Sequence, residues 1–267
     1  MLSHDNVYWT CMQAVEIGPI EYDKEVIISY LPLSHIAASL MDIWGAFIGR
    51  ATVIFADRMA LKGTLLTTLK EARPTIFMGV PRVWEKIHEG MMEKARTITG
   101  LKKTISANCK KAGLKHHLEG RDGFFYTLGK KAIYVKVKEA LGLDRCHCFL
   151  SGAAPIHKDI MKYFLSLDIV IRELYGMSET TGPHTIMRRG DINLGSVGTA
   201  MAGCRVLLHD KDPEGNGEVW MWGRNIMMGY LNREDKTCED LDAQGYVHSG
   251  DIGSMASTGH LFITGNT

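Results

Sequence analysis

Residues 25–56 of the chain read EVIISYLPLSHIAASLMDIWGAFIGRATVIFA. Two short runs rich in β-branched residues, Glu25–Leu31 and Ala51–Ala56, flank an apolar segment of helical length, Ile36–Gly49, and Pro32 ends the first run. A buried strand, a helix and a second buried strand in this order are typical of a βαβ unit, whose strands lie parallel in one sheet. This stretch therefore predicts an α/β fold.

The segments that follow continue the alternation of strand and helix. The sequence predicts them, in chain order, at Leu61–Ala72 (helix), Thr75–Met78 (strand), Arg82–Ala95 (helix), Cys146–Leu150 (strand), His157–Leu167 (helix) and Ile169–Leu174 (strand). Strands joined by crossover helices form a mainly parallel sheet, and such crossovers are right-handed.

Residues 86–145 interrupt this alternation with a Lys-rich, predominantly helical insertion. Over residues 124–141 an apolar stripe at helical spacing is formed by Phe125, Leu128, Ala132, Val135 and Leu141. The basic residues of the insertion include Lys102, Lys103, Lys110, Lys111, Lys115, Lys130, Lys131, Lys136 and Lys138. They indicate either a solvated helical face or contact with an anionic membrane surface.

The last part of the chain has a different sequence pattern. Short strands at Arg205–His209 and Gly217–Trp222 are separated by the turn signal DPEGNG at Asp212–Gly217. This pattern predicts antiparallel β-structure beside the sheet. The sequence therefore divides into an α/β core over residues 1–200, with its helical insertion at about 86–145, and a smaller β subdomain over residues 201–267.

Composition limits the function classes. The chain has 267 residues, of which 45% are hydrophobic, and a formal net charge of +1, so bulk charge does not attract it to nucleic acid. Six cysteines lack any CxxC spacing, which suits a reducing compartment and argues against a disulfide framework. No apolar run reaches membrane-spanning length and no signal peptide is visible. We expect a cytoplasmic protein, or one peripheral to the endoplasmic reticulum or another intracellular membrane.

The segment YGMSET, Tyr175–Thr180, is the sharpest candidate for chemistry. Gly176 allows a turn at the end of a strand, where open α/β sheets bind ligands. Ser178 and the final Thr180 offer hydroxyls for phosphate oxygens, and Glu179 offers a hard oxygen suited to Mg²⁺. The alternative is an ordinary turn with an exposed Glu.

Three other segments are weaker candidates. Ser151–Pro155 (SGAAP) lets the backbone approach a thin ligand, or is simply a tight turn into a helix that begins near Pro155. Asp251, in SGDIG, could accept two hydrogen bonds from a diol or be a common turn residue. His35 could touch a ligand or cap the helix that follows, with Ser34 as the N-cap candidate.

Together these segments resemble the core motifs of adenylate-forming enzymes in their order and spacing. The motifs are SGAAP at Ser151–Pro155, YGMSET at Tyr175–Thr180, GEVWMWGRNIMMGYLN at Gly217–Asn232 and GYVHSGDIG at Gly245–Gly253. The segment Arg73–Ile87 (RPTIFMGVPRVWEKI), with the basic insertion after it, resembles the long-chain fatty acyl-CoA synthetases. Among these, the residues YGMSE and the sequences of the SGAAP and SGDIG regions are most similar to the bubblegum type.

The resemblance implies a ligase that joins a long-chain fatty acid to AMP and passes the acyl group to CoA, with ATP, Mg²⁺ and CoA as its cofactor and co-substrates. By similarity, Glu179 ligates Mg²⁺ and Ser178 bonds the α-phosphate or the acyl carboxylate. Asp251 holds the ribose hydroxyls, and His35 lines the acyl and phosphate side of the pocket. The remaining nucleotide-binding positions are Ser151, Gly152 and Ala153, which with Tyr175 frame the adenine, and Gly176, Met177 and Thr180.

The same resemblance raises an expectation about the ends of the chain. Met1–Asn6 stands where the family has just completed a phosphate loop ending in Lys, and Phe262–Gly265 stands where it continues into a mobile C-terminal domain. We therefore expect an incomplete, inactive form of the ligase that lacks the mobile domain, with a non-catalytic regulatory or interaction isoform as the alternative.

Overall fold

The computed structural model describes residues 1–18 and 20–266. Over these residues the helices are α1 (His4–Ile17), α2 (36–49), α3 (Leu65–Ala72), α4 (Pro81–Arg96), α5 (Gly100–Glu119), α6 (124–141), α7 (Lys158–Leu165) and α8 (Glu234–Asp240). The strands are β1 (Val26–Ser29), β2 (Thr52–Phe55), β3 (Ile76–Met78), β4 (Cys148–Ser151), β5 (Ile171–Met177), β6 (Gly182–Ile186), β7 (Thr199–Ala200), β8 (Arg205–His209), β9 (Gly217–Trp222), β10 (Val247–Met255) and β11 (Leu261–Asn266). Two compact units result: unit 1 comprises Met1–Glu25, Leu31–Thr52 and Arg172–Thr267, and unit 2 comprises Val26–Tyr30 and Val53–Ile171.

Unit 2 contains β1, β3 and β4 with helices α3 to α7, whereas the predicted helix α2 and most of strand β5 belong to unit 1. Strands β3 and β4 pair in parallel, with Ile76 opposite Cys148. The Thr75 N–H donates to the Val26 carbonyl (2.8 Å), which places β1 beside β3. Since the connection between β3 and β4 contains the helices α4, α5 and α6, the α/β prediction is confirmed.

The core of unit 2 is built around Trp84 of α4, which is fully buried. Edge-to-face aromatic contacts surround its ring, with centroid distances of 5.3 Å to Phe77, 6.3 Å to Phe149 and 5.1 Å to Phe164. The indole N–H donates to the Leu150 carbonyl (3.2 Å). The polar end of this large side chain is therefore satisfied while its rings hold α4 on the strands.

Helix α6 differs from the predicted stripe. Its middle, Lys130–Tyr134, is π-helical, and a wider turn changes the angular position of the residues before and after it. Tyr126 and Tyr134 therefore face inward, whereas Phe125 and Val135 are 39% and 44% exposed. The predicted apolar face is wrong at these positions because the sequence spacing assumed an uninterrupted α-helix.

Unit 1 contains the predicted antiparallel β-structure, with strand order β11-β10-β9-β8. In β9 the side chains alternate, so that Val219 and Met221 are fully buried and Trp220 faces the other side. The cluster that covers this face consists of Val197, Leu208, Val219, Met221, Met227, Val247 and Leu261.

Helix α1, which the sequence reasoning did not predict, also belongs to unit 1. Ser3 caps it in a reciprocal capping box with Asn6. The Asn6 side-chain amide donates to the carbonyls of Arg224 (2.7 Å) and Ile226 (3.0 Å), so α1 is tied to the loop after β9. Within the described part of the chain, no helix combines the length and the apolar character that crossing a bilayer requires.

Candidate active site

The YGMSET segment forms an antiparallel hairpin in unit 1. Strand β5 continues to Met177, a short 3₁₀ turn covers Ser178–Thr180, and β6 returns with Gly182 opposite Met177. The prediction that this strand ends at Leu174 is wrong, because the antiparallel partner extends β5 by three residues.

Gly176 is needed for a close backbone approach rather than for a turn. A Cβ atom at this position would lie 1.9 Å from the Gly182 carbonyl oxygen, where the pairing register shifts. No larger residue fits there without displacing β6. The motif therefore has glycine inside the strand, which corrects the predicted turn.

Thr180 lies inside the hairpin. Its hydroxyl accepts from the Met177 N–H (2.9 Å) and lies 2.7 Å from the Gly182 carbonyl, to which it donates. The Met177 side chain packs against the core of the β-sheet. Ser178 is exposed and Glu179 half-buried, so these two side chains are the ones that the turn presents outward.

Asn225 fixes the outer side of this turn. Its side-chain amide nitrogen donates to the Thr180 carbonyl (2.8 Å), and its backbone carbonyl accepts from the Thr181 hydroxyl (2.6 Å). The same amide nitrogen donates to Nδ1 of His184 (3.1 Å). Asn225 is fully buried, so this one side chain joins the turn to the loop after β9.

His184 is held in one neutral form. It is fully buried, and its Nε2–H donates to the Arg205 carbonyl (2.9 Å), since a carbonyl oxygen has no proton to give. Nδ1 is then the acceptor for Asn225. Burial lowers the pKa of His184 to about 4, so the ring is uncharged at neutral pH.

Glu179 lies beside a second carboxylate. The Tyr230 hydroxyl is 2.9 Å from Oε1 of Glu179 and 3.0 Å from Oδ2 of Asp240, the last residue of α8. Burial, followed by the two neighbouring carboxylates, raises the pKa of Tyr230 well above its usual value. The phenol therefore stays protonated and donates its single proton to one carboxylate at a time.

Tyr175 and Asp251 are brought together by a bulge. The register of β10 against β9 shifts between His248 and Ile252, and Gly250 in this segment has φ +70°. The bulge aims Asp251 at Tyr175, whose hydroxyl donates to Oδ2 (2.7 Å). Burial above all raises the pKa of Tyr175, and the Asp251 carboxylate adds to the effect.

His35 is exposed at the start of α2 and is itself the N-cap. Its Nδ1 accepts from the Ala37 N–H (3.2 Å), which corrects the expectation that Ser34 caps this helix. Helix α2 approaches the hairpin closely, since a Cβ on Gly182 would lie 2.4 Å from Leu40.

The SGAAP turn belongs to unit 2. Ser151 ends β4 and is fully buried, and its hydroxyl has no hydrogen-bond partner among the described residues. Gly152 is also buried, and Ala153 adopts a left-handed φ of 71°. A buried hydroxyl beside a strained alanine is typical of a position that meets a ligand. Helix α7 begins only at Lys158, so Pro155 lies in the loop and not near the helix start.

The carboxylates of unit 1 bear on the predicted magnesium site. Over residues 1–18 and 20–266 no three His, Cys, Asp or Glu side chains form a metal cage. Mg²⁺ in nucleotide enzymes commonly takes one or two carboxylates and completes its octahedron with phosphates and water. Glu179, on the outward side of the turn, fits that limited role.

Residues 1–231 of the chain match the family model described as AMP-binding enzyme. The chain belongs to the AMP-binding enzyme family. The matched range contains the hairpin, the SGAAP turn, Asn225 and Tyr230.

Relatives of this AMP-binding enzyme include fatty acid ligases. It is 45% identical over 273 residues to the Mus musculus long-chain-fatty-acid–CoA ligase ACSBG2, and this alignment covers 99% of this chain and 41% of the relative. It is 44% identical over 272 residues to the Homo sapiens long-chain-fatty-acid–CoA ligase ACSBG1, with 99% and 38% covered. The resemblance to the bubblegum type is confirmed. The chain spans about two fifths of the length of these relatives.

Solved structures share the fold of this AMP-binding enzyme. The o-succinylbenzoate-CoA synthetase MenE from Bacillus subtilis, in complex with the acyl-adenylate intermediate OSB-AMP, superposes with a TM-score of 0.72 at 18% identity, covering 98% of this chain and 45% of that one. The N-terminal domain of FACL13 from Mycobacterium tuberculosis gives 0.70 at 19% identity, with 99% and 56% covered.

Sequence reasoning missed four residues that support the hairpin turn and its carboxylate. These residues are His184, Asn225, Tyr230 and Asp240. The only available signal was the motif Gly217–Asn232, which contains Asn225 and Tyr230 but gives neither of them a role.

Proposed function

We propose that this protein is a long-chain fatty acid–CoA ligase that uses ATP, Mg²⁺ and CoA. The observation that carries the proposal is its 45% identity to the mouse long-chain-fatty-acid–CoA ligase across 99% of the chain. The candidate site supports it with the outward-facing Ser178 hydroxyl and Glu179 carboxylate on one turn, and with the hydrogen bond from Tyr175, on the strand that leads into this turn, to the Asp251 carboxylate.

The chemistry requires activation of a poor electrophile. A carboxylate oxygen of the fatty acid attacks the α-phosphorus of ATP, and the bond to pyrophosphate breaks. The thiol of CoA then loses its proton and attacks the acyl carbonyl, and AMP leaves. Protein groups must align two anions and offset the charge that develops, which is where positioning and preorganised polar groups lower the barrier.

Asp251 is proposed to hold the ribose. One of its oxygens already accepts from the Tyr175 hydroxyl, which fixes the orientation of the carboxylate. A carboxylate retains further lone pairs that can accept from a diol. Tyr175 is thereby a positioning residue for Asp251, in addition to its proposed place beside the adenine.

Ser178 and Glu179 are proposed to face the phosphates. The Ser178 hydroxyl is exposed and can donate to an α-phosphate oxygen or to the acyl carboxylate. When bound, Mg²⁺ would neutralise phosphate charge, and Glu179 would hold it. The Thr180 hydroxyl is engaged within the hairpin, so we assign Thr180 the role of fixing the geometry of this turn.

The remaining predicted positions lie on two other segments. The Ser151 hydroxyl and the neighbouring Gly152 and Ala153 are proposed to border the adenine, with the buried hydroxyl as a donor. His35 is proposed to border the acyl and phosphate groups, since its ring is exposed and only Nδ1 is engaged by the helix cap.

Peripheral membrane contact is also proposed, through α5 and α6. Lys138 is paired with Asp168 and Lys110 is half-buried, but the other seven lysines of these two helices are exposed. On the same helices Leu101 and Phe124 are 82% and 76% exposed. Exposed cations beside apolar side chains suit the surface of an anionic bilayer.

Two measurements test the function. The first is calorimetric binding of palmitoyl-sulfamoyl-adenosine, a stable analogue of the acyl adenylate, to the chain and to its Asp251→Ala variant. We expect binding that weakens by at least about tenfold in the variant, because a charge-assisted hydrogen-bond acceptor is lost from the ribose. Absence of binding, or equal binding by both, would contradict the site.

The second is palmitoyl-CoA formation by a chimera in which this chain replaces the matching segment of the mouse ACSBG2 ligase. Activity that disappears in Glu179→Gln supports the proposal, with Glu214→Gln in the exposed turn before β9 as the matched control. A folded but inactive chimera would favour a non-catalytic role.

A further inference from the structure

The bulge in β10 is held by side-chain oxygens at two successive main-chain N–H groups. The Gly250 N–H donates to Oε1 of Glu218 in β9 (3.1 Å), and the Asp251 N–H donates to the Ser249 hydroxyl oxygen (3.1 Å). The regular pairing of β10 with β9 is interrupted at this point. A side-chain oxygen of β9, rather than a main-chain one, therefore accepts from Gly250.

Glu218 lies at the edge of this bulge. It is directly opposite Ile252, the residue at which the pairing of β10 with β9 resumes. Its side chain is on the same face of β9 as Trp220, because Val219 between them points into the core. Oε2 of Glu218 accepts from the indole N–H of Trp220 (2.9 Å). Both oxygens of this carboxylate thus accept from N–H donors, one on the bulge and one on β9.

The indole of Trp220 is itself held between two imidazole rings. The His209 ring stacks on it at a centroid distance of 3.8 Å and an interplanar angle of 12°, and the His248 ring at 3.9 Å and 14°. These histidines lie on β8 and β10, the neighbours of β9 on its two sides. Stacking across three strands fixes the plane of the indole, and with it the direction of the N–H that donates to Glu218.

The main chain at Gly250 decides where the Asp251 carboxylate lies. Gly250 has a φ of +70°, in the region that favours glycine, and a glycine main chain is the freest to rotate. Its N–H, which Glu218 accepts, is one residue before Asp251. A hydrogen bond at this N–H limits rotation in the bulge, so it also limits the directions in which Asp251 can point.

We propose that Glu218 is a positioning residue for the carboxylate that binds the ribose. It fixes the main chain of Gly250 from one side, while the Tyr175 hydroxyl fixes the Asp251 side chain from the other (2.7 Å). The inference rests on the ribose role proposed above for Asp251. Glu218 acts through Asp251 and is assigned no contact with the nucleotide.

Glu218→Gln tests this role with a side chain of the same size. A glutamine has one carbonyl oxygen and one NH₂ group, so it cannot offer a separate oxygen to each of the two N–H donors. One donor then faces an NH₂ group, and the bulge loses its fixed geometry. In the ligand-free chain, the Gly250 amide hydrogen should exchange with solvent about fivefold faster than in the unmodified chain, as expected for the loss of one hydrogen bond.

The ligand test compares AMP with 2′,3′-dideoxy-AMP by calorimetry on the full chain. The two nucleotides differ by the ribose diol and carry no acyl group, so the comparison reports on Asp251 whichever acid is activated. The unmodified chain should bind AMP at least about tenfold more tightly than dideoxy-AMP. Glu218→Gln should lower this ratio about fivefold by weakening AMP alone. A purely structural role of Glu218 would weaken both nucleotides alike.

Three further variants support the comparison. Trp220→Phe keeps an aromatic ring between the imidazoles but removes the N–H that donates to Oε2, so it should lower the ratio by a smaller factor. Glu214→Gln removes the same charge in an exposed turn and should leave the ratio unchanged. In Asp251→Ala the ratio should be close to one. Adding Glu218→Gln to Asp251→Ala should change nothing further, because residues that act through one another are not additive.

The outcomes separate this inference from the proposed function. An undiminished ratio in Glu218→Gln, together with its loss in Asp251→Ala, would overturn the inference and leave the ribose role of Asp251 standing. Equal weakening of both nucleotides by Glu218→Gln would also overturn it. An unmodified chain that binds neither nucleotide, or both equally, would refute the inference and the ribose role together. A ratio that depends on Glu218, with no palmitoyl-CoA formed by the chimera, would support the inference and count against the fatty acid ligase.

Discussion

His184 makes the stability of unit 1 dependent on pH. Because its folded-state pKa is lowered to about 4, from an ordinary value of 6.5, the unfolded chain binds more protons than the folded chain between these two values. The stability that neutral His184 contributes is fully present above pH 6.5. This contribution falls as the pH is lowered from 6.5 to about 4, and it is lost completely below pH 4.

The size of this effect follows from the window. A pH of 5 lies about 1.5 units below the pKa of this histidine in the unfolded chain and is still above its pKa in the folded chain. At 1.36 kcal/mol per unit, the free energy of unfolding should be lower by about 2 kcal/mol than at pH 8 through this residue alone. That is a large part of the stability of an ordinary domain.

His184→Gln isolates the contribution. The Gln amide N–H replaces Nε2–H as donor to the Arg205 carbonyl, while nothing titrates at this position. Urea unfolding of the chain, followed by tryptophan fluorescence at pH 8 and pH 5, gives the free energy of unfolding for both proteins. We expect the unmodified chain to lose about 2 kcal/mol more than the variant between these pH values.

A matched control is His4→Gln, because His4 is exposed at the start of α1. This variant should lose as much stability as the unmodified chain. If His184→Gln also loses as much, the buried neutral histidine does not carry the pH dependence and the reasoning is refuted.

Three further predictions concern packing and charge. Gly113→Ala should destabilise unit 2 by about 1–3 kcal/mol, because its Cβ would lie 2.5 Å from the Ser166 carbonyl oxygen and 2.8 Å from the Tyr134 hydroxyl. Gly90→Ala should instead stabilise unit 2, because a Cβ at Gly90 would meet no atom within 4 Å and alanine favours the helix. A change of the melting temperature in the same direction for both variants would contradict this prediction. Asp168→Asn should cost about 3 kcal/mol in urea unfolding at pH 7, since Asp168 accepts from Lys138 (3.0 Å) and pairs with His117 (3.1 Å), and exposed Asp159→Asn should cost little. The Asp168 pKa is lowered by these partners despite its burial, so this difference should shrink as the pH falls below about 4, and a constant difference down to pH 2 would count against the ion pair. Tyr230→Phe should weaken Mg²⁺-dependent binding of ATP without changing the affinity for adenosine, because it removes the hydroxyl between Glu179 and Asp240; equal loss for both ligands would indicate general disruption of the site.

The fold was predictable from the sequence where local patterns decide structure. The strands Arg205–His209 and Gly217–Trp222 have the predicted bounds, because alternation and a strong turn define them locally. The errors have physical causes. Gly176 resembles a turn residue, but it lies inside β5 where the backbone of β6 comes close. The π-helical turn in α6 leaves no mark in the spacing of apolar residues that predicts a helix.

The candidate site was predictable only in part. The pairing of Tyr175 with Asp251 joins residues 76 positions apart, and no periodicity reports such a contact, so both were named through the resemblance of their motifs. His184 and Asn225 remained hidden because they donate to the backbone carbonyls of Arg205 and Thr180, which carry no side-chain signature.

The hydrogen bonds of Asn225 have a consequence for how the protein is made. The hairpin from β5 to β6 is local and can form as soon as its residues leave the ribosome, but the amide that closes its turn comes 45 positions after Thr180. The loop that carries Asn225 is also joined to Asn6, across 218 positions to Arg224. Contacts of such separation form late. The outward-facing Ser178 and Glu179 should therefore acquire their final arrangement after most of the chain has been synthesised. Pulse-labelled hydrogen exchange during refolding should protect the Met227 amide, which donates to the Glu179 carbonyl (2.8 Å), later than the amides of β9.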